Sequence, residues 1–244
     1  MKNKSDLSVR QKNLLFAVVK EYCEFGNTVS SKELKEKYNF VISPATIRGE
    51  FANLRDLGYL YQPFTNSSSQ PTEKAFKMFI SQLLSGLSST FKQHLELKNE
   101  FAKMQKKQEN LEKEISRLLA IQTGSVGFAA SRDTESVSGV KNLLKGQNLP
   151  EMLDFLEKMD HHKQFLLQKN ENSENQIMTI FGTDGTENTI LPLREGYAII
   201  ASKALINNKE TVFGILAEPQ ILGRKKTLQI VNAISKILNE KDEN

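Results

Sequence analysis

Residues 42–54, ISPATIRGEFANL, have the features of a short amphipathic helix with one buried and one exposed side. Ser43 is a residue type that caps helix N-termini, and Pro44 suits the first helical position. Apolar residues recur at i, i+4 and i+7, the spacing of one buried stripe: Ile47, Phe51 and Leu54. The pattern therefore predicts an exposed polar face made of Thr46, Arg48, Glu50 and Asn53. Gly49 stands out, because glycine disfavours a helix interior by about 1 kcal/mol relative to alanine.

Two more helices are predicted before this stretch, and a pair of strands is predicted after it. The first helix covers residues 8–23, and the second begins at a cap formed by Ser30 or Ser31. After Gly58, YLYQPF alternates like a strand, the polar loop TNSSSQP follows, and the chain returns at Pro71. Three helices and a strand pair are the parts of a winged helix-turn-helix, whose third helix enters the DNA major groove. A generic three-helix bundle is the alternative.

The exposed side chains of such a domain are the candidates for contact with DNA. The hydroxyls of Ser43 and Thr46 lie where a helix N-terminus favours phosphate. Arg48 is the main candidate for a base contact, since bidentate pairing of arginine with guanine is the commonest specific contact. Its alternative is an ordinary ion pair with Glu50 or Asp56. The other candidates lie at the start of the second helix, on the exposed face of the third, and in the wing: Ser31, Lys32, Asn53, Thr65 and Ser68.

The middle of the chain, residues 73–121, reads as long, polar and helical. From residue 97 onward, apolar positions alternate steps of four and three, as in a heptad seam: Leu97, Phe101, Met104, Gln108, Leu111, Ile115 and Leu118. One interpretation is a dimerisation or signalling helix between two domains. The other is a helix packed on its own domain, and both remain open.

Beyond Gly124 the pattern changes to helices mixed with strand candidates at residues 125–131, 176–182, 196–202 and 210–219. Residues 131–139, SRDTESVSG, read as a tight loop, and a last helix is predicted at 226–239. The predicted fold class is α+β. The predicted domains are a winged-helix DNA-binding domain at 1–80, a helical linker or coiled coil at 81–121, and a regulatory domain at 122–244.

Composition predicts a cytosolic protein, and the charge distribution is a weak indication of a polyanionic partner for the N-terminal third. The first 80 residues carry 12 Lys/Arg and 8 Asp/Glu, whereas the rest of the chain carries 21 of each, so the excess positive charge lies in the N-terminal third. A single cysteine, Cys23, excludes an internal disulfide or a zinc cluster, and it reads as a core thiol. No transmembrane run or signal sequence is evident, so the expected location is the cytoplasm.

Sequence motifs of catalysis and metal binding are lacking. The three histidines are His94, His161 and His162, and the adjacent pair cannot form an i, i+4 metal site on a helix. The chain has no P-loop, GxSxG or HExxH motif. We therefore expect no enzymatic activity, no cofactor and no bound metal.

The N-terminal motifs resemble those of the heat-inducible transcription repressor family, HrcA. The shared order is an EY helix end, then V.SK.L, then S.ATIR followed by LGYL.QP.T, then PT.KAF. The resemblance implies a repressor of chaperone operons that binds an inverted-repeat operator as a dimer. It also implies a winged helix, a GAF-like C-terminal domain, and support of activity by the chaperonin until heat stress releases the DNA. Weaker similarity continues through VGFAASRD and GILAEP.

Three departures from the family pattern stand out. Gly49 follows ATIR where the family usually has a polar residue. Ser69 occupies the wing position at which the family has arginine, a natural reader of a narrow minor groove. The chain is also short between VGFAASRD and GVKNLL, where the family has an inserted dimerisation segment. Two other functions stay open: a ligand-sensing winged-helix regulator unrelated to heat shock, and a winged-helix module that binds only proteins.

Overall fold

The structure, a computed structural model, describes residues 7–26, 30–63, 68–86, 97, 99, 110–142, 156–168, 177–181 and 197–240. The chain divides into two compact units, Met1–Leu83 and Leu84–Asn244. The first is mainly helical and the second combines helices with an antiparallel sheet. The predicted α+β class is confirmed. No helix in the described ranges is long and apolar enough to cross a membrane.

The first unit contains the predicted succession of three helices and a strand pair, followed by a fourth helix. Its elements are α1 (Val9–Phe25), α2 (Ser31–Tyr38), α3 (Pro44–Asp56), β1 (Leu60–Tyr61), β2 (Gln70–Pro71) and α4 (Glu73–Ser85). Ser8 and Ser30 cap α1 and α2, each in a reciprocal capping box. Gly58 follows α3 at φ +75°, a conformation that side-chain-bearing residues rarely adopt. β1 and β2 pair antiparallel, with Leu60 opposite Pro71.

Apolar side chains from all four helices fill the core of the first unit. An apolar face of α1 is buried, and it is joined by residues of α2, α3 and α4: Leu14, Leu15, Val18, Val19, Leu34, Ile47, Leu54 and Ile80. The ring of Phe79 meets Phe16 edge-on, with centroids 5.6 Å apart, and Phe76 meets Tyr22 in the same way at 6.0 Å. These contacts dock α4 on α1.

A buried acid joins α1 to α2. Glu21 accepts hydrogen bonds from Lys37 Nζ at 2.7 Å and from the Tyr38 hydroxyl at 2.8 Å. Burial of the phenol, together with the neighbouring Glu21 carboxylate, raises the pKa of Tyr38 far above its usual value. The charged acid is therefore satisfied twice by the short second helix, which fixes α2 against α1.

The second unit is a five-stranded antiparallel sheet between helices. Its helices are α5 (Leu111–Thr123), α6 (Met159–Gln168), α7 (Pro219–Leu222) and α8 (Lys225–Asn239), and a 3-10 turn spans Val140–Asn142. Its strands are β3 (Val126–Ala130), β4 (Glu135–Ser138), β5 (Ile177–Phe181), β6 (Ala198–Ile206) and β7 (Lys209–Ala217). The order across the sheet is β4-β3-β7-β6-β5, and every neighbouring pair is antiparallel.

The helices of the second unit cover both faces of the sheet. One face packs on α6 through a cluster that includes Phe128, Ile199 and Leu166. On the opposite face, Gly127 lies under α5, where an added Cβ would be 2.8 Å from the Ala120 nitrogen. Ser202 bonds Ser235 of α8 on that same face at 2.6 Å. Glycine at position 127 is thus required by the close approach of α5 to β3.

One expectation for this unit needs correction, and one alternative that the sequence left open is decided for part of the seam. Residues 131–139 are not only a loop, because Glu135–Ser138 forms the edge strand β4. The sequence of β4 is short and polar, as suits a sheet edge, and so it gives no apolar alternation. The heptad seam ends in a helix that packs on its own sheet, since Leu111, Ile115 and Leu118 are buried within this chain. Phe101, Met104 and Gln108 of the seam lie outside the described residues.

Candidate nucleic-acid interface

The N-terminus of α3 is held by the cap that its sequence predicts. Ser43 Oγ accepts a hydrogen bond from the Thr46 amide at 3.1 Å, and the two hydroxyl oxygens are 2.9 Å apart. Pro44 occupies the first helical turn. Both hydroxyl side chains are exposed, so the capped helix end and its two hydroxyls are accessible from outside the unit.

The buried side of α3 contains the predicted stripe and one residue that was predicted to be exposed. Ile47, Phe51 and Leu54 are buried, and so is Glu50, at 6 % exposure. Glu50 lies three residues after Ile47, and on a helix that spacing returns to the same face. Its carboxylate is 2.5 Å from Arg10 Nη2 of α1. The prediction that Glu50 faces outward is therefore wrong, and the residue instead ties α3 to α1.

The exposed side of α3 presents Arg48, Gly49 and Asn53. Within the described part of the chain, Arg48 has neither an ion pair nor a hydrogen bond. The alternative pairing of Arg48 with Glu50 does not form, because Glu50 is occupied by Arg10 and points to the opposite side of the helix. The guanidinium of Arg48 is thus free to bind an external acceptor.

Two further candidates lie at the beginning of α2. Ser30, not Ser31, is the cap: its hydroxyl accepts from the Glu33 amide at 3.2 Å, and its amide donates to Glu33 Oε2 at 3.0 Å. The hydrogen bond from the Ser30 amide lowers the pKa of Glu33, and a side-chain hydrogen bond from Ser30 acts in the same direction, because both favour the charged carboxylate. Ser31 is half-buried and Lys32 is exposed, so Lys32 is the accessible cation at this helix start.

The strand pair after α3 is anchored by a serine that the sequence suggested would lie in the exposed wing. Ser69 is buried at 5 % exposure, and its hydroxyl accepts a hydrogen bond from Arg55 Nη1 at 2.9 Å. Position 69 therefore contacts the end of α3. Ser68, the candidate next to it, is half-buried, and Thr65 lies outside the described residues.

Arg55 and Lys74 are structural cations that the sequence interpretation did not assign. Lys74 donates to the Leu57 carbonyl at 2.8 Å, just past the end of α3, and its Nζ lies 4.3 Å from the ring centre of Tyr59. Cations are favoured near a helix C-terminus, so the positions of Arg55 and Lys74 near the end of α3 were the sequence feature that could have indicated this role. Together with the Arg55 bond, this contact fixes the strand pair and α4 relative to α3.

The candidates for other chemistry lie apart from this surface. Cys23 is buried, as expected for a core thiol. His162 is buried and the adjacent His161 is exposed, while His94 lies outside the described residues. Among the described residues, no group of three or more His, Cys, Asp or Glu side chains is arranged to hold a metal ion.

Several curated relatives of the chain belong to one class, the transcription repressors. The chain is 39% identical over 80 residues to the heat-inducible transcription repressor HrcA of Clostridioides difficile (strain 630), which is 33% of this chain and 24% of that protein. It is 34% identical over 130 residues to HrcA of Sorangium cellulosum (strain So ce56), covering 53% and 38% of the two chains. With HrcA of Fusobacterium nucleatum, it shares 32% identity over 137 residues, covering 55% and 39%.

Within that class, the particular similarity is to heat-inducible repressors, so the resemblance drawn from the sequence motifs is confirmed over a third to a half of the chain. The chain spans only about a quarter to two fifths of the length of these relatives. No model of a known protein family matches it. The crystal structure of a hypothetical protein at 2.2 Å resolution shares its fold, with a TM-score of 0.69, 17% identity, and coverage of 96% and 97% of the two chains.

Proposed function

We propose that the chain is a DNA-binding transcriptional repressor whose first unit is a winged helix-turn-helix domain. The observation that carries the proposal is the orientation of α3. One side is anchored by Ile47, Phe51 and the Arg10–Glu50 pair, while the other presents Arg48 without an intramolecular partner in the described structure. Similarity to the curated heat-inducible repressors supports the same conclusion.

In this proposal α3 is the recognition helix, and its exposed side chains read the major groove. Arg48 pairs with the acceptor edge of a guanine, and Asn53, five residues further along the helix, lies within reach of the same groove. The capped N-terminus, with Ser43 and Thr46, receives a backbone phosphate. The remaining proposed contacts go to the backbone from the start of α2 and from the wing: Ser31, Lys32, Thr65 and Ser68.

The wider regulatory role follows the same resemblance. We propose that the target is an inverted-repeat operator of chaperone genes, bound by a homodimer in the cytoplasm and released on heat stress, with the chaperonin as a further partner. The proposed division is a DNA-binding domain at 1–80, a helical linker at 81–121, the end of which is α5 packed on the sheet of the second unit, and a GAF-like regulatory domain at 122–244. Helices on both faces of an antiparallel sheet are compatible with a GAF-like domain, and neither a cofactor nor catalysis is proposed.

The proposal is tested by measuring binding of the full chain to duplex DNA. The probe is a duplex enriched from a random pool by rounds of selection on the intact protein, together with a scrambled duplex of equal composition. We expect preference for the selected duplex, an inverted repeat within it, and a steep fall in affinity with added salt as counterions return to the phosphates. Absence of binding to any duplex would refute the DNA-binding role and favour a protein-interaction module.

Arg48→Ala separates base reading from general attraction. We expect the variant to lose roughly 1–3 kcal/mol of binding free energy to the selected duplex and much less to the scrambled one, with unchanged folding stability. Lys12→Ala, which removes an exposed cation from α1, is the matched control and is expected to retain the preference. If the Arg48 variant still preferred the selected duplex over the scrambled one as strongly as wild type does, Arg48 would not read a base.

A further inference from the structure

A glycine occupies the middle of the exposed face of α3. Gly49 lies inside a 13-residue helix and is exposed, next to Arg48. Glycine weakens a helix interior because the unfolded chain has more backbone freedom to lose at that residue. A reason for its presence must therefore be sought in the backbone geometry, in the packing, or in a contact with another molecule.

Backbone geometry and internal packing give no such reason. Gly49 is not among the glycines with positive φ, unlike Gly58 at +75°. A Cβ built at position 49 would meet nothing within 4 Å, whereas one built at Gly127 would be 2.8 Å from a backbone nitrogen. The fold itself accepts a side chain at position 49. The exposed glycine leaves the backbone of α3 open to a contact from outside the chain.

We propose that Gly49 is a specificity-determining residue, which lets the α3 backbone approach the edge of a base pair in the major groove. This inference rests on the DNA-binding function proposed above. On the helix surface, Gly49 is the neighbour of Thr46 at i−3 and of Asn53 at i+4, both exposed. A Cβ here would stand about 1.5 Å further out than the Cα. The added Cβ would lie among the side chains that read the groove, and it would therefore hold the helix backbone away from the base pairs.

The expected consequence is opposite in sign for folding and for binding. Gly49→Ala raises helix propensity without a clash, so the midpoint of thermal unfolding rises by a few degrees. The same methyl group holds α3 away from its base pairs and weakens binding to the selected duplex by roughly tenfold. Binding to the scrambled duplex changes little, and the salt dependence stays the same because no charge is removed.

Asn13→Ala provides a matched control, because Asn13 is an exposed position within α1 where alanine also improves helix propensity. This control is expected to gain stability and keep the wild-type affinity for both duplexes. Both variants are compared with wild type by thermal unfolding and by fluorescence anisotropy with the selected and scrambled duplexes. A stabilised Gly49→Ala protein with selectively lost affinity supports the inference.

Two contrary outcomes are distinguishable. A Gly49→Ala protein that is stabilised and binds the selected duplex as tightly as wild type overturns the inference and leaves the proposed function standing. Wild-type protein that binds no duplex overturns both. An equal loss of affinity for the selected and scrambled duplexes also contradicts the inference. A methyl group that obstructs base contacts weakens only the complex in which those contacts are made.

Discussion

Arg55, in the last turn of α3, donates from Nη1 to the buried hydroxyl of Ser69, 2.9 Å away and fourteen residues later in the chain. The bond joins the proposed recognition helix directly to the strand pair that follows it. A second connection comes from the Thr72 hydroxyl, which donates to the Gly58 carbonyl at 2.8 Å. The position of the wing relative to α3 is thus set by polar contacts at the helix end as well as by apolar packing.

This relationship predicts that arginine at position 69 does not restore a DNA-reading wing. Ser69→Arg places a long cation in a site with 5 % exposure, against the guanidinium of Arg55, and we expect it to lower the free energy of unfolding by roughly 1–3 kcal/mol. Ser68→Arg, at the half-buried neighbour, is expected to change stability by less than about 0.5 kcal/mol and to strengthen DNA binding. Urea denaturation and anisotropy titrations measure both effects. A Ser69→Arg protein as stable as wild type would contradict the assigned burial.

The Arg10–Glu50 pair predicts unequal effects when either partner is removed. Arg10→Met leaves a buried carboxylate without its cation, so we expect a loss of roughly 1–3 kcal/mol in unfolding free energy. Glu50→Gln keeps the shape and leaves Arg10, 57 % exposed, to be hydrated by water, so the expected loss is below about 1 kcal/mol. Chemical denaturation of the two variants measures the order. Equal losses, or the reverse order, would mean that burial of Glu50 does not dominate this pair.

The amphipathic pattern predicted where α3 lies but not every residue on its buried side. The stripe of Ile47, Phe51 and Leu54 is readable because apolar residues recur with the helical period. Glu50 shares that face, yet its residue type suggests solvent, and only the partner on α1 makes burial tolerable. The burial of Ser69 could not be read from the sequence for a related reason, since it depends on a hydrogen bond from Arg55, fourteen residues earlier.

The second unit shows a different limit of sequence reasoning. β5, β6 and β7 are rich in β-branched and apolar residues and were predicted. β4 was missed, because its ESVS sequence matches a polar loop and its pairing with β3 is a tertiary property. The heptad seam was equally ambiguous, since one apolar stripe can be covered by a second chain or by the protein's own sheet. Leu111, Ile115 and Leu118 are covered by the protein's own sheet.

The buried hydrogen bond between Tyr38 and Glu21 predicts a pH-dependent contribution to stability. The pKa of Tyr38 is raised in the folded state above its ordinary value of 10.0, first by burial and then by the Glu21 carboxylate. Its contribution is therefore complete below pH 10.0 and is lost as the pH rises through the higher folded-state pKa. Tyr38→Phe should cost about 1 kcal/mol at neutral pH, and the difference from wild type should shrink in alkaline solution.

Urea unfolding of wild type and Tyr38→Phe at a series of pH values measures this difference. Lys37 remains beside Glu21 in both proteins, so the two proteins differ only in the phenol hydroxyl. A difference between the two proteins that stayed constant from neutral to strongly alkaline pH would show that the phenol does not titrate against a buried carboxylate.

The packing of α5 predicts which of its isoleucines the fold can lose. Ile115 is fully buried and Ile121 is 65% exposed on the same helix. Ile115→Asp is expected to lower the unfolding free energy of the second unit by more than about 3 kcal/mol, because it places a charge between helix and sheet. Ile121→Asp is expected to change it by less than about 0.5 kcal/mol. Thermal unfolding combined with light scattering distinguishes loss of the fold from dissociation. If Ile115→Asp instead gave a monomer with the thermal stability of wild type, the seam would have to face a second chain rather than the sheet of its own unit.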